Sequence, residues 1–269
     1  MINEWDLAET NLHRLSQRRY EVAVLPVGAI EAHNRHLPEG QDLRHTTYVA
    51  RRCCELAWKE CEAVICLPAI PYGVDCNLMA FPLTIHVSQA TLDAMVRDVV
   101  ESLHKHGIRK IVIINGHGGN DFTPLIRQIQ SDLPVHVFLC NWWTVGQDRY
   151  GEIFEEPDDH AGEFETSVAL ALYPELVEPE VAGDGQARPF RFEALEQGWV
   201  WTSRDFSKLN DSCGVGDPSR ASAEKGRRAY EEAVKQLVNF VSWFKDRPKD
   251  ERRDMHRHAP TIPTPWGQT

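Results

Sequence analysis

One stretch carries the densest chemistry in the chain. Residues 31–42 read Glu-Ala-His-Asn-Arg-His-Leu-Pro-Glu-Gly-Gln-Asp. Glu31 and His33 stand two apart, so an extended backbone sends both side chains to one side. Asp42 returns after a turn built on Pro38 and Gly40. Two carboxylates and an imidazole converging in this way suit a divalent cation of the zinc, manganese or iron type. A merely polar surface loop is the competing reading of this stretch alone.

Two later stretches add donors. Asn115-Gly-His-Gly-Gly-Asn120 sets His117 among glycines, which let the backbone turn sharply and approach a ligand. His117 can then reach a metal or a reacting group, or it is an ordinary histidine in a tight turn. Asn115 and Asn120 suit holding the loop by bonds to its backbone. The third stretch, His160-Ala-Gly-Glu-Phe-Glu165, opens a helix. A histidine beside metal-bound water suits a general acid or base near neutral pH. Glu163 and Glu165 are site acids or plain helix-start acids, which the helix dipole favours in either case.

The elements that must position these groups follow from apolar patterning. Apolar runs at 22–27, 64–67, 110–115 and 135–140 read as buried strands. Helical spacing marks 46–58, 88–106, 121–130, a helix opening at 160–173, and 221–245. Ser88 caps the second of these and Gly107 ends it. Residues 1–20 read as helix or loop, 74–86 as a hairpin, flap or packed loop, and 178–215 as mostly loop. Strands alternating with helices predict a single α/β domain, residues 1–245, with a mainly parallel central sheet flanked by helices. Residues 246–269, charged and then proline-rich, read as a C-terminal tail. Each chemical motif sits at the C-terminal end of a strand or the start of a helix, where such sheets collect ligands.

Together these motifs resemble the creatininase (creatinine amidohydrolase) family. The matching stretches are Leu25-Pro-Val-Gly-Ala-Ile-Glu-Ala-His33, His36-Leu-Pro-Glu-Gly-Gln-Asp42, Asn115-Gly-His-Gly-Gly-Asn120, His160-Ala-Gly-Glu-Phe-Glu-Thr-Ser167 and a segment from Gly216 to Gly226. The resemblance implies an α/β fold, commonly a hexamer, that hydrolyses non-peptide C–N bonds of cyclic or small linear amides with two divalent ions, zinc or manganese. Carried over by position, Glu31 and His117 bind one ion, His33 the other, and Asp42 bridges them. Creatininases proper use a glutamate two residues beyond the motif histidine to bind the second ion; here that position is Gly119, so Glu165 completes the ligands of that ion, with Glu163 the lesser candidate and otherwise a catalytic companion of His160. His160 matches the catalytic histidine. Trp142 or Trp143 corresponds to a tryptophan lining the substrate pocket.

There are departures. Asn34-Arg35 replaces the family's Gly-Pro, Leu83 the glycine of Phe-Pro-Gly-Thr, and Gly118 a tyrosine of true creatininases. Leu83 and Gly118 are expected near the substrate, which argues against creatinine itself. Arg35 is a candidate to face an anionic group. The Gly-His-Gly-Gly-Asn branch includes a pyrimidine-intermediate deformylase and a peptide-processing enzyme of redox-cofactor biosynthesis.

Composition narrows the classes. The 269 residues are 42% hydrophobic with a formal net charge of −11, which disfavours nucleic acid or an anionic membrane as the main partner. No apolar run reaches the length of a membrane span, and the first residues lack a signal-peptide pattern. Seven unpaired-looking cysteines read as reduced thiols in a cytoplasmic protein. The expectation is a cytoplasmic, homo-oligomeric, metal-dependent hydrolase of a small-molecule amide, in which a metal-activated water attacks the carbonyl and His160 gives a proton to the leaving nitrogen. Iron is a further candidate metal. A mononuclear enzyme of the same fold and a non-catalytic binding or assembly protein are the alternatives.

Overall fold

The computed structural model describes residues 2–246; the predicted tail beyond 246 lies outside the described residues. Four strands form one parallel sheet: β1 (Val22–Val27), β2 (Val64–Cys66), β3 (Lys110–Asn115) and β4 (His136–Asn141), in the order β2-β1-β3-β4. Among the described residues seven α-helices accompany them: α1 (Leu12–Leu15), α2 (Gln41–Cys61), α3 (Gln89–Lys105), α4 (Thr123–Asp132), α5 (Glu163–Leu172), α6 (Glu193–Glu196) and α7 (Ala223–Lys245). Among the described residues no helix is long and apolar enough to cross a membrane.

Both central strands are buried along their whole length, as continuous apolar runs require. Alternation assigns the faces. Val22, Val24, Val112 and Ile114 pack on α2 and α7 through Val49, Cys53, Val234 and Val241. Ala23, Leu25, Ile111 and Ile113 pack on α3 and α4 through Val96, Val100, Leu125 and Ile129. Proline usually argues against a central strand. Pro26 is tolerated because its carbonyl, and hence its nitrogen, faces the β2 side, where β2 has already ended and Ile70 alone reaches across.

The register brings Val27, Asn115 and Asn141 level at one edge. Helix α2 is lowered onto that edge. A β-carbon on Gly28 would lie 2.5 Å from Leu43 Cα, and one on Gly116 would lie 2.4 Å from Thr46 Cγ2. Only glycine lets the first turn of α2 approach this closely. The sequence placed the start of α2 at residue 46; it begins at Gln41. The polar run Gln41, Asp42 and His45 breaks the apolar pattern because this end of the helix faces the site, and Asp42 therefore rides on a helix rather than in a loop. The 74–86 segment is neither hairpin nor helix; turns and a Gly73–His86 bridge shape it. All seven cysteines are free.

Candidate metal centre

Four chain segments converge above the sheet edge. The loop after β1 supplies Glu31 and His33, the first turn of α2 supplies Asp42, the loop after β3 supplies His117, and α5 with the turn before it supplies Glu165 and His160. His117 Nδ1 lies 3.0 Å from Glu31 Oε1 and 3.1 Å from Asp42 Oδ2. His33 Nε2 lies 3.0 Å from Asp42 Oδ1 and 3.8 Å from Glu165 Oε2. The two oxygens of Asp42 thus face different histidines. Two groups result, Glu31–Asp42–His117 and His33–Asp42–Glu165, each with donor atoms within 4.8 Å of one another and Asp42 common to both. A third such group joins Glu31, His33 and His160.

Whether a cation fits is answered by where the imidazole protons sit. His33 Nδ1 is 3.1 Å from the Glu31 carbonyl and His117 Nε2 is 3.1 Å from the Val74 carbonyl. Carbonyls accept only, so each of these nitrogens carries the proton. The lone pairs on His33 Nε2 and His117 Nδ1 then face carboxylate oxygens. That contact is unfavourable unless a positive charge, a metal ion or in its absence a proton, sits between, and a metal ligand held by a carbonyl on its far side has this arrangement. Glu31 Oε2 and His33 Nε2 are buried without a hydrogen-bond partner. The donor set, three carboxylates and two imidazoles, suits zinc or manganese.

The electrostatics point the same way. Burial pushes the Glu31 and Glu165 carboxyls up to about 8. Burial alone would depress the His33 imidazole, but Asp42 and Glu165 raise it to about 10. His160 goes the other way, held at about 3 by burial and by neighbouring His33. Its Nε2–H donates to the Ala32 carbonyl at 2.7 Å, leaving Nδ1 as the lone pair, 3.9 Å from Glu31 Oε1. Phe206 meets the His160 ring edge-on at 5.2 Å.

Several expectations need correcting. Glu163 does not join the group: its carboxylate pairs with Lys225 and accepts the Glu155 and Glu156 amides at 2.9 Å each. Trp142 is not a pocket wall. It is buried in the core, against His45 at 5.0 Å and Phe164 at 5.1 Å, because the residue following β4 turns back over α2 and α5. Trp143 packs half-buried against the same core. Arg35 is exposed, as are Gly118 and Leu83. Asn34 and Leu83 both adopt left-handed backbone, φ 55° and 60°, which is why the corresponding family positions favour glycine. Gly119 cannot carry a ligand: a β-carbon there would lie 2.4 Å from His117 Nε2.

One residue escaped the sequence reading. Asp75, two residues beyond Gly73 in the loop after β2, is fully buried with Oδ1 3.1 Å from His117 Nε2. Its position past a strand end was the only available signal.

The family model for creatininase (creatinine amidohydrolase) matches residues 6–241. The chain belongs to the creatininase family. Within it, a crystal structure of a putative creatinine amidohydrolase from Bacteroides fragilis superposes with a TM-score of 0.86 at 36% identity, covering 92% of this chain and 99% of that one. A manganese creatininase and a Zn-Zn creatininase variant each give a TM-score of 0.75 at 25% identity, over 91% of this chain and 100% of theirs. Among characterised relatives, the 3-dehydro-scyllo-inosose hydrolase of Thermotoga maritima is 30% identical over 247 residues, 83% of this chain and 78% of its own. The mycofactocin precursor peptide peptidase of Mycobacterium ulcerans is 28% identical over 231 residues, 81% of this chain and 84% of its own. The creatininase fold, including the parallel sheet and its flanking helices, is thus shared.

The two acids of α5 can be separated by experiment. Glu163→Gln is expected to lower thermal stability by about 1–3 kcal/mol, because Lys225 loses its buried partner, and to leave metal content unchanged. Loss of metal with unchanged melting would reverse the assignments of Glu163 and Glu165.

Proposed function

We propose that this chain is a metal-dependent amidohydrolase that cleaves a non-peptide C–N bond in a cyclic or small linear amide. The observation that carries the reading is the pair of buried lone pairs, on His33 and His117, aimed at Asp42 from its two sides. Two divalent ions, zinc or manganese with iron a further candidate, would be held by Glu31, Asp42 and His117 and by His33, Asp42 and Glu165, where they supply an activated water and polarise the carbonyl. Asp42 keeps the two halves at a fixed separation. Ala161 N–H donates to Glu165 Oε2 at 2.6 Å and orients that carboxylate. His160, neutral and with Nδ1 free, takes up a proton and returns it to the leaving nitrogen.

The substrate is less constrained. Arg35, exposed and two residues past His33 in the chain, would favour an anionic group on it. A peptide substrate is the second reading, favoured by the relation to the peptidase and by the segment between Gly183 and Phe206. That segment is rooted on Asn34 at one end, through Gly183 N–H at 2.8 Å, and on His160 at the other. Between them Trp199 and Trp201 are 72% and 85% exposed.

The test is a panel of amides, formamides and short peptides, with manganese, zinc and iron each supplied to metal-stripped protein. Turnover of a small amide, abolished by chelation, is expected. Hydrolysis of no compound with any metal would favour a binding or assembly protein. Metal uptake should also depend on pH in a defined sense. Glu31, Glu165 and His33 have raised proton affinity without metal, so binding must expel those protons. Apparent affinity should therefore rise from pH 6 through about 10, with proton release measurable by calorimetry in buffers of different ionisation enthalpy.

A further inference from the structure

Asp75 has no place in the scheme above, yet it is fully buried and its carboxylate accepts no hydrogen bond from its own loop. A buried carboxylate is costly and needs an explanation. Holding its own loop is not that explanation. The backbone there is already fixed: Asp75 N–H donates to His86 Nδ1 at 3.1 Å, Leu78 N–H donates to the Asp75 carbonyl at 3.0 Å, and Val74 N–H donates to Asn120 Oδ1 at 3.0 Å. What the carboxylate faces is His117. Its Oδ1 and the Val74 carbonyl both lie 3.1 Å from His117 Nε2, whereas Glu31 and Asp42 face Nδ1. Gly119 closes that side, since a β-carbon there would lie 2.3 Å from the Val74 carbonyl.

We infer that Asp75 is a positioning residue: with the Val74 carbonyl it keeps the proton of His117 on Nε2 and presents Nδ1 to the cation shared with Glu31 and Asp42. A carboxylate behind a ligating imidazole fixes its tautomer and orientation and strengthens it as a donor. The effect should fall on one metal position, because His33 is oriented by the Glu31 carbonyl instead.

This inference rests on the metal-centre reading. It is tested by titrating metal-stripped wild type, Asp75→Asn and Asp75→Ser with Mn²⁺ and Co²⁺, following affinity and the cobalt absorption spectrum, and by melting each protein without metal. In both variants affinity at one position should fall about 10–100-fold, with the cobalt bands of that position shifted and the other position unchanged. The metal-free melting temperature should hold or rise, because an uncompensated buried charge has been removed. Wild-type affinity and an unchanged cobalt spectrum in a folded variant would overturn the role of Asp75 alone. So would a lower metal-free melting temperature with binding intact, or two variants that both fail to fold. Wild-type protein that binds neither ion would overturn the metal-centre reading itself.

Discussion

Asp42→Ala is expected to empty both metal positions at once. The protein should purify folded, with metal content falling from about two ions per chain to well under one. Its two oxygens face His33 at 3.0 Å and His117 at 3.1 Å, and it is common to the Glu31–Asp42–His117 and His33–Asp42–Glu165 groups. Folding should survive at a cost in stability: the sheet with its two apolar faces remains, but His33 and His117 both lose the buried carboxylate that faces them. His33→Ala should likewise leave little bound metal, and Glu165→Ala should weaken the position of His33 more than that of His117. Elemental analysis of the purified variants, with circular dichroism for the fold, gives the answer. Full occupancy in Asp42→Ala would refute the bridging assignment.

The second large effect concerns His160. It stands within reach of Glu31 and His33 in the third donor group, so it is either a ligand or the group that moves the proton. Its geometry favours the proton. Nδ1 is 3.9 Å from Glu31 Oε1, farther than the lone pairs of His33 and His117 stand from their acids, and burial holds the ring neutral. His160→Gln should therefore retain both ions while turnover falls about 10²–10⁴-fold, equivalent to roughly 3–5 kcal/mol in the barrier. Substrate affinity should change little. Loss of metal in this variant would make His160 a ligand.

The sheet was readable because β1 and β3 are unbroken apolar runs and their ends coincide with the histidine motifs. Glu31, His33 and His117 could be gathered for the same reason, since each follows a strand end, whereas Asp42 was read in a turn and stands on the first turn of α2. The choice between Glu163 and Glu165 was not readable. Two residues apart in a helix they point about 200° from each other, and which face turns toward the site depends on the packing of α5. That packing is set across the molecule, where a β-carbon on Gly226 would lie 1.9 Å from the Ser167 carbonyl. Asp75 was hidden because its loop has no periodicity and its partner, His117, is far away in sequence. The tryptophans misled because a residue just past β4 can turn outward or inward, and Trp142 turns inward onto His45 and Phe164. The early start of α2 was masked by the polar residues that serve the site.

Anomalous diffraction from crystals grown with manganese tests the paired-cation cage most directly. Two peaks are expected about 3.5–4 Å apart, one touching Glu31, Asp42 and His117, the other touching His33, Asp42 and Glu165. No peak among these side chains, with Asp42 bonded only to protein groups, would contradict the assignment.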